Sequence, residues 1–336
     1  MAFITNKSPA FIAIFCALAA AVAFTLNDSG IKFLSGDYPL HQVVLVRSVV
    51  ALIATCAILI PLEGGFGNLK TAFIKLHLLR GLLVVTANMT FFLGIAAMPL
   101  GEVSAIFYVA PLLITAFSVF FLGESVSFRR WIAVIVGLIG AIIMLRPGTS
   151  SFQLAALLPL TAAVCYAGLH TLTRKIGVKD KASTMAFYIQ LTFIVVCSVV
   201  GLGLGDGKFA GSEDPSLAFL FRPWIWPSAR DWGIMVALGF FSAAGGYLIS
   251  QAYRLGEAAL IAPFEYLALA MAIMWGVVIF GEWPDAVAWT GILLILGAGL
   301  FIIWRETQLR KQREAQLAQQ ETPYNRDEIR PTQRHR

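Results

Sequence analysis

The chain has 336 residues, of which 58% are hydrophobic and 13% charged, and its mean hydropathy is +0.78. That composition excludes an ordinary water-soluble domain and fits a chain whose solvent is lipid. The formal charge of +6 does not imply nucleic-acid binding, because a membrane protein gathers Lys and Arg at its cytoplasmic ends.

Apolar stretches able to cross a bilayer run over 10–33, 40–60, 72–98, 103–122, 130–146, 152–173, 183–204, 232–253, 258–280 and 286–304. A membrane helix needs about 20 apolar residues, so ten spans use roughly 200 residues and leave about 130 for loops and tails. The stretches are too long for membrane β-strands, and lipid-exposed backbone must satisfy its own hydrogen bonds, so they are expected to be helices. Residues 10–26 follow Lys7 and taken alone resemble a secretory leader. Nine further apolar segments make them an uncleaved first span. Cys16, Cys56, Cys165 and Cys197 each lie in an apolar stretch with no CxxC pair and read as small buried hydrophobes.

With the N-terminus inside, the cytoplasmic segments before the tail hold ten basic residues and the opposite segments five, three of them in one long loop near 205–231. Long loops count least, so both termini are expected in the cytoplasm. Trp224, Trp226 and Trp232 in that loop are candidate headgroup anchors. The tail from Arg305 is expected to prolong the last helix briefly and then fray. Its eight basic residues offer anionic lipid a contact, against the plainer reading of a solvated tail.

The two halves repeat each other. Ala20-Ala21-Val22-Ala23-Phe24 is echoed by Ala162-Ala163-Val164-Cys165-Tyr166, and the same offset pairs Asp28 with His170 and Lys32 with Arg174. Pro99-Leu100-Gly101-Glu102 opens the fourth span and Arg254-Leu255-Gly256-Glu257 the ninth, which then end in Gly123-Glu124 and Gly281-Glu282. Gly-rich helices follow Trp131 and Trp289. Each half holds an odd number of spans, five, so the second copy enters the membrane from the other side. The expected fold is an all-α polytopic membrane protein, ten transmembrane helices as two inverted five-helix repeats: 10–146 and 152–304, between a cytoplasmic N-terminus at 1–9 and a basic cytoplasmic tail at 305–336. Inverted repeats are the architecture on which alternating access is built.

These repeated motifs resemble the EamA-type branch of the drug/metabolite transporter superfamily, over residues 10 to about 306. His77-Leu78-Leu79-Arg80-Gly81-Leu82-Leu83, Arg130-Trp131 and Ala262-Pro263-Phe264-Glu265-Tyr266-Leu267 look like the subgroup with bacterial S-adenosylmethionine uptake carriers and riboflavin importers. The resemblance implies a secondary transporter of the bacterial inner membrane, with riboflavin uptake first, S-adenosylmethionine uptake next, and amino-acid or metabolite export after these. A non-transporting structural or regulatory subunit is the rival from another class, and an enzyme on lipid-soluble substrates a more distant one.

Ionisable side chains at membrane depth are expensive, so those present are functional candidates. Asp28, Lys32 and Arg47 lie toward the periplasmic ends of their spans, and Arg80, His170, Arg174 and Glu265 toward the cytoplasmic ends. They are expected to form two gates that hold by ion pairing and open by hydration. Snorkelling to headgroups is the bland alternative for Arg47 and Arg80, and capping of a helix break that for Asp28. His170 and Glu265 are the candidates for proton coupling, with uncoupled transport left open. Asn88, Phe91, Tyr108, Tyr166, Tyr247, Gln251 and Tyr266, with Glu265, supply a pocket near the midplane suited to a flat or aromatic solute. Pro111 and Pro263 break spans four and nine, at a cavity wall or a packing kink. No Walker loop, HExxH or Ser-His-Asp spacing occurs in the hydrophilic segments, so no cofactor and no loop-borne catalysis are expected. The expected partners are a small-molecule solute and membrane lipid, with a homodimer left open.

Overall fold

The computed structural model describes residues 9–123, 126–147, 154–176, 180–255, 261 and 264–321. They are helical, with no strand among the described residues: α1 (Pro9–Leu34), α2 (Leu40–Leu62), α3 (Ile74–Ala97), α4 (Leu100–Phe107), α5 (Ala110–Leu122), α6 (Phe128–Leu145), α7 (Leu157–Ile176), α8 (Ala182–Leu204), α9 (Pro215–Phe221), α10 (Ala229–Leu255), α11 (Leu267–Phe280) and α12 (Ala286–Glu321). By length and composition nine candidate spans are found among the described residues, the fourth of them running through α4 and α5. The ninth segment of the sequence is described from Phe264 onward and contributes α11, a shorter apolar helix. The ten-span, all-α architecture read from the sequence is the one observed.

Helix packing respects the repeat. α1 lies on α10, and its repeat partner α7 lies on α3; α2 lies on α10, and its partner α8 on α3. Two further contacts pair partners with each other, α2 with α8 and α6 with α12, and α5 lies on α7 as α11 lies on α1. Glycines sit at the matched α8–α3 and α2–α10 contacts: a Cβ on Gly81 of α3 would meet Thr192 of α8, and one on Gly239 of α10 would meet Val50 of α2.

Backbone geometry repeats as well. Gly123 ends α5 at φ 70°, ψ 21°, and Gly281 ends α11 at φ 69°, ψ 19°. This left-handed corner carries no Cβ penalty only for glycine. Between α6 and α12 the backbones nearly touch: a Cβ on Gly140 would lie 3.0 Å from the Gly291 carbonyl oxygen, and one on Gly291 2.8 Å from that of Gly140. Small residues facing each other in this way are how membrane helices gain close packing without a hydrophobic drive.

The face of the bundle that carries the 205–228 segment is called here the loop face, and the one from which α12 runs on, the tail face. On the loop face the long segment is stapled to the start of α2, where Arg222 donates to the Ser35 carbonyl at 2.7 Å, Gln42 to that of Ile225 at 2.6 Å, and Trp224 Nε1 to His41 Nδ1. On the tail face the segment after α2 is stapled to the start of α8, where Ser183 N–H donates to Glu63 Oε2 at 3.0 Å, Thr184 to the Asn68 carbonyl at 3.1 Å and Tyr188 to that of Leu69 at 2.9 Å.

Three features depart from the sequence reading. The long loop contains α9, capped by Asp214 accepting from Leu217 N–H and opened by Pro215. It buries Phe219 and ties down to α3 through Ser216 and the Leu93 carbonyl at 2.8 Å. Seven residues are too few to register as an apolar span. Trp224 is engaged by His41, while Trp226 is 85% exposed with its ring 5.7 Å from that of Trp232. Finally, α12 has 36 residues, about 54 Å at 1.5 Å per residue, so it runs far beyond a hydrocarbon core of about 30 Å.

Candidate functional site

A cavity of about 300 Å³ opens between the two halves. The first half supplies most of its wall: Phe24, Asn27 and Asp28 from α1, Arg47 from α2, Asn88, Phe91 and Phe92 from α3, Ser104 and Phe107 from α4, then Tyr108 and Pro111. The second half supplies Tyr166 from α7, Ser242 and Ile249 from α10, Glu265, and Ala268 from α11. The α4–α5 break at Tyr108 and Val109 opens directly onto this space, and Pro111 in the first turn of α5 lacks the N–H that would continue the helix.

Aromatic rings form a continuous wall. Phe107 stands edge-on to Phe91 at 5.3 Å and to Tyr166 at 5.2 Å, and Tyr108 tilts against Tyr266 at 5.1 Å. Tyr108 Oη donates to the Glu265 carbonyl at 2.7 Å, tying the break in the fourth span to the residue that brings a carboxyl to the cavity. Arg47 is buried between Phe92 and Phe193, its guanidinium carbon 5.2 and 5.1 Å from the ring centroids. Asp28 lies within electrostatic reach of it, and accepts from Asn27 Nδ2 at 3.1 Å. The wall therefore combines one guanidinium, two carboxyl groups, two amides and edge-on rings.

One turn beyond Asp28 on α1, Lys32 lies toward the loop face. Its Nζ lies 2.7 Å from Glu282 Oε1 and donates to the Met98 carbonyl at 2.6 Å, while Glu282 Oε2 accepts from Leu100 N–H at 3.0 Å. The left-handed corner at Gly281 swings Glu282 into this position. The strap joins α1, the α3–α4 junction and the end of α11.

A second cluster lies at the tail face. Asp180 Oδ2 accepts from Thr71 Oγ1 at 2.6 Å and meets His77 Nε2 at 2.7 Å, and the His77 ring stacks on Tyr188 at 4.8 Å. These hydrogen bonds, Thr71 first, hold the Asp180 carboxyl below the usual carboxylate range. Arg80 donates to Met185 Sδ at 3.0 Å and feels the Asp180 charge.

Of the residues singled out in the sequence, Asn88, Phe91, Tyr108, Tyr166 and Glu265 line the cavity, joined by Asp28 and Arg47. Those last two were expected at a gate with Lys32, which sits apart in the strap. Tyr266 packs behind Tyr108, its hydroxyl buried without a partner among the described residues. Tyr247 and Gln251 do not line the cavity, since α10 presents Ser242 and Ile249 instead. His170 lies outside it against Tyr166 at 4.3 Å, the Arg174 side chain and Pro263 lie outside the described residues, and Arg80 donates to Met185 Sδ and feels the Asp180 charge. Glu282, Asp180 and His77 were missed as site residues. Phe24 was legible as the repeat partner of Tyr166, and Glu282 as the residue following the repeated glycine.

The EamA-like transporter family matches this chain twice, over residues 11–146 and 153–304. The chain belongs to the EamA-like transporter family. It is a multi-pass bacterial membrane transporter whose partner is a small-molecule solute. Among EamA-like relatives, the chain is 28% identical to an S-adenosylmethionine uptake transporter of Rickettsia prowazekii (strain Madrid E), over 86% of this chain and 91% of that protein. It is 28% identical to a riboflavin transporter of Vibrio cholerae, over 90% and 95%, and 24% identical to the pseudopaline exporter CntI of Pseudomonas aeruginosa, over 84% and 92%. A solved crystal structure, 20% identical and covering 90% of this chain and 97% of its own, shares the fold at a TM-score of 0.58.

Proposed function

We propose that this EamA-like chain is a secondary carrier that moves a flat, ionic metabolite across the bacterial inner membrane by alternating access, with 10–146 and 152–304 as the two moving repeats and both termini in the cytoplasm. The observation that carries the reading is the cavity itself: its wall is drawn from both halves and combines aromatic rings with ionisable groups at membrane depth. A transporter site of this kind lies at the repeat interface near the midplane. Lys32 and Glu282 serve as the loop-face gate, in an equilibrium that solute and water shift by their different interactions with the closed and open forms. On the tail face, Arg80, His170 and Arg174 are the gate candidates.

S-adenosylmethionine is the first substrate candidate, because its sulfonium, ammonium and carboxylate answer Asp28, Glu265 and Arg47 while its adenine suits the rings. Riboflavin is the second; the ring wall favours it, but it brings no charge to the ionisable groups. Purified protein in liposomes is expected to accumulate radiolabelled S-adenosylmethionine, with riboflavin measured alongside and an uncoupler reporting proton dependence. Liposomes that move neither solute overturn the carrier reading in favour of a non-transporting subunit.

A further inference from the structure

Arg47 carries the largest unmet demand in the cavity wall. Its side chain is 2% exposed, and its guanidinium is held between the faces of Phe92 and Phe193. Two π faces fix the position of a cation, but they do not accept the in-plane N–H bonds of a guanidinium. That group presents five donors. Arg47 makes no hydrogen bond to any described residue, and its Nε is buried without a partner. Asp28 is near enough to be felt but forms no ion pair with it, and its Oδ1 instead accepts from Asn27.

A buried guanidinium is tolerated when acceptors of matching geometry take its protons. The protein fixes the cation and leaves the acceptor to whatever occupies the cavity. A carboxylate matches the planar fork with two parallel bonds, which a hydroxyl or a ring carbonyl does not. Such a carboxylate would sit close to Asp28 and share the space with Glu265, and like charges there repel. The solute that resolves this conflict carries its own cation beside its carboxylate. We infer that Arg47 reads a carboxylate, so that the cavity selects zwitterions with a flat body, an α-amino-acid head on an aromatic or heteroaromatic group, over neutral flat solutes. This rests on the carrier reading above and goes further, assigning one residue to one part of the solute.

Matched pairs differing only in the carboxylate test it: S-adenosylmethionine against its decarboxylated form, and tryptophan against tryptamine. Binding to the purified full chain and uptake into liposomes are both measured, with riboflavin as a neutral flat reference. The intact protein is expected to prefer the carboxylate-bearing member of a pair by about tenfold or more, as for a hydrogen bond to a charged group. Arg47→Gln is expected to reduce that preference to within about threefold. Should Arg47→Gln not assemble, as judged by size exclusion and thermal melting, Arg47→Lys is read instead; it keeps the charge, loses the planar fork and must weaken the preference. Equal binding of both members by the intact protein overturns the inference, as does a preference that survives loss of the guanidinium, which would make Arg47 a structural brace. Transport of riboflavin with no binding of any zwitterion overturns this inference but leaves the carrier reading standing. Failure to move any solute removes both.

Discussion

Tyr108 and Tyr266 occupy equivalent places in the two repeats and touch each other, ring centroid to ring centroid, at 5.1 Å with the planes tilted by 36°. Tyr108 stands at the break between α4 and α5, and Tyr266 immediately precedes α11. Contact between equivalent residues is what a local two-fold axis produces where it passes through the molecule, so this pair marks the seam between the halves.

The partners differ in what their hydroxyls do. Tyr108 Oη donates to the Glu265 carbonyl at 2.7 Å, whereas Tyr266 Oη is buried with no partner among the described residues. Tyr108→Phe is expected to lower stability by about 1 kcal/mol, the usual net worth of a buried hydrogen bond, and to reduce uptake further by freeing Glu265. Tyr266→Phe removes an unsatisfied group and is expected to be neutral or slightly stabilising. Thermal melting of the two variants in the same detergent compares them; a larger loss for Tyr266→Phe would contradict the assignment.

The strap makes a separate prediction. Lys32→Met leaves Glu282 without its cation and breaks the tie to the Met98 carbonyl. The loop face is then expected to open more often. A cysteine at Ser104, on the cavity wall, in a chain whose four native cysteines are replaced, should react several-fold faster with an impermeant thiol reagent applied from that side. The charge-reversed pair Lys32→Glu with Glu282→Lys should bring the rate back toward that of the parent. If labelling is indifferent to Lys32, the strap is not a gate.

Much of this fold was legible because membrane folding leaves strong marks in sequence. Apolar runs of span length give the helices, and the two Gly-Glu corners give the repeat together with the places where α5 and α11 end. The cavity was half legible. Ionisable and aromatic residues at membrane depth stand out, which picks Glu265, Tyr108 and Tyr166. Which face of a helix meets its neighbour depends on packing angles that an all-apolar helix does not encode, so Tyr247 and Gln251 were chosen where Ser242 and Ile249 line the space. Asp180 and His77 lie 103 residues apart in sequence, and no local pattern announces a pair brought together only by tertiary packing. The helix α9 escaped for the opposite reason, being short enough to pass for loop.

The Gly140–Gly291 contact predicts a sharp asymmetry between glycines on one helix pair. A methyl group at Gly140 or Gly291 meets the facing carbonyl oxygen at 3.0 or 2.8 Å, whereas one at Gly297 meets nothing within 4 Å. Gly140→Ala and Gly291→Ala are expected to cost about 1 to 3 kcal/mol, as overpacking does, while Gly297→Ala is neutral or mildly stabilising. Unfolding in mixed micelles ranks the three. Equal behaviour would mean that α6 and α12 can part without penalty.

Acid should weaken the tail-face cluster in a way traceable to one carboxyl. Thr71 and His77 hold Asp180 below the ordinary carboxylate range, so its folded pKa lies beneath its unfolded one. A group of that kind adds stability above the unfolded value of about 3.9, and the addition is lost as pH falls through the lower folded value. The protein's melting temperature is therefore expected to drop between about pH 5 and pH 3 more steeply than that of Asp180→Asn, which starts lower because it has already lost the charged acceptor. Parallel curves for the two proteins would show that the unfolded chain holds Asp180 equally well, and that the contacts with Thr71 and His77 contribute nothing to tying α3 to the start of α8.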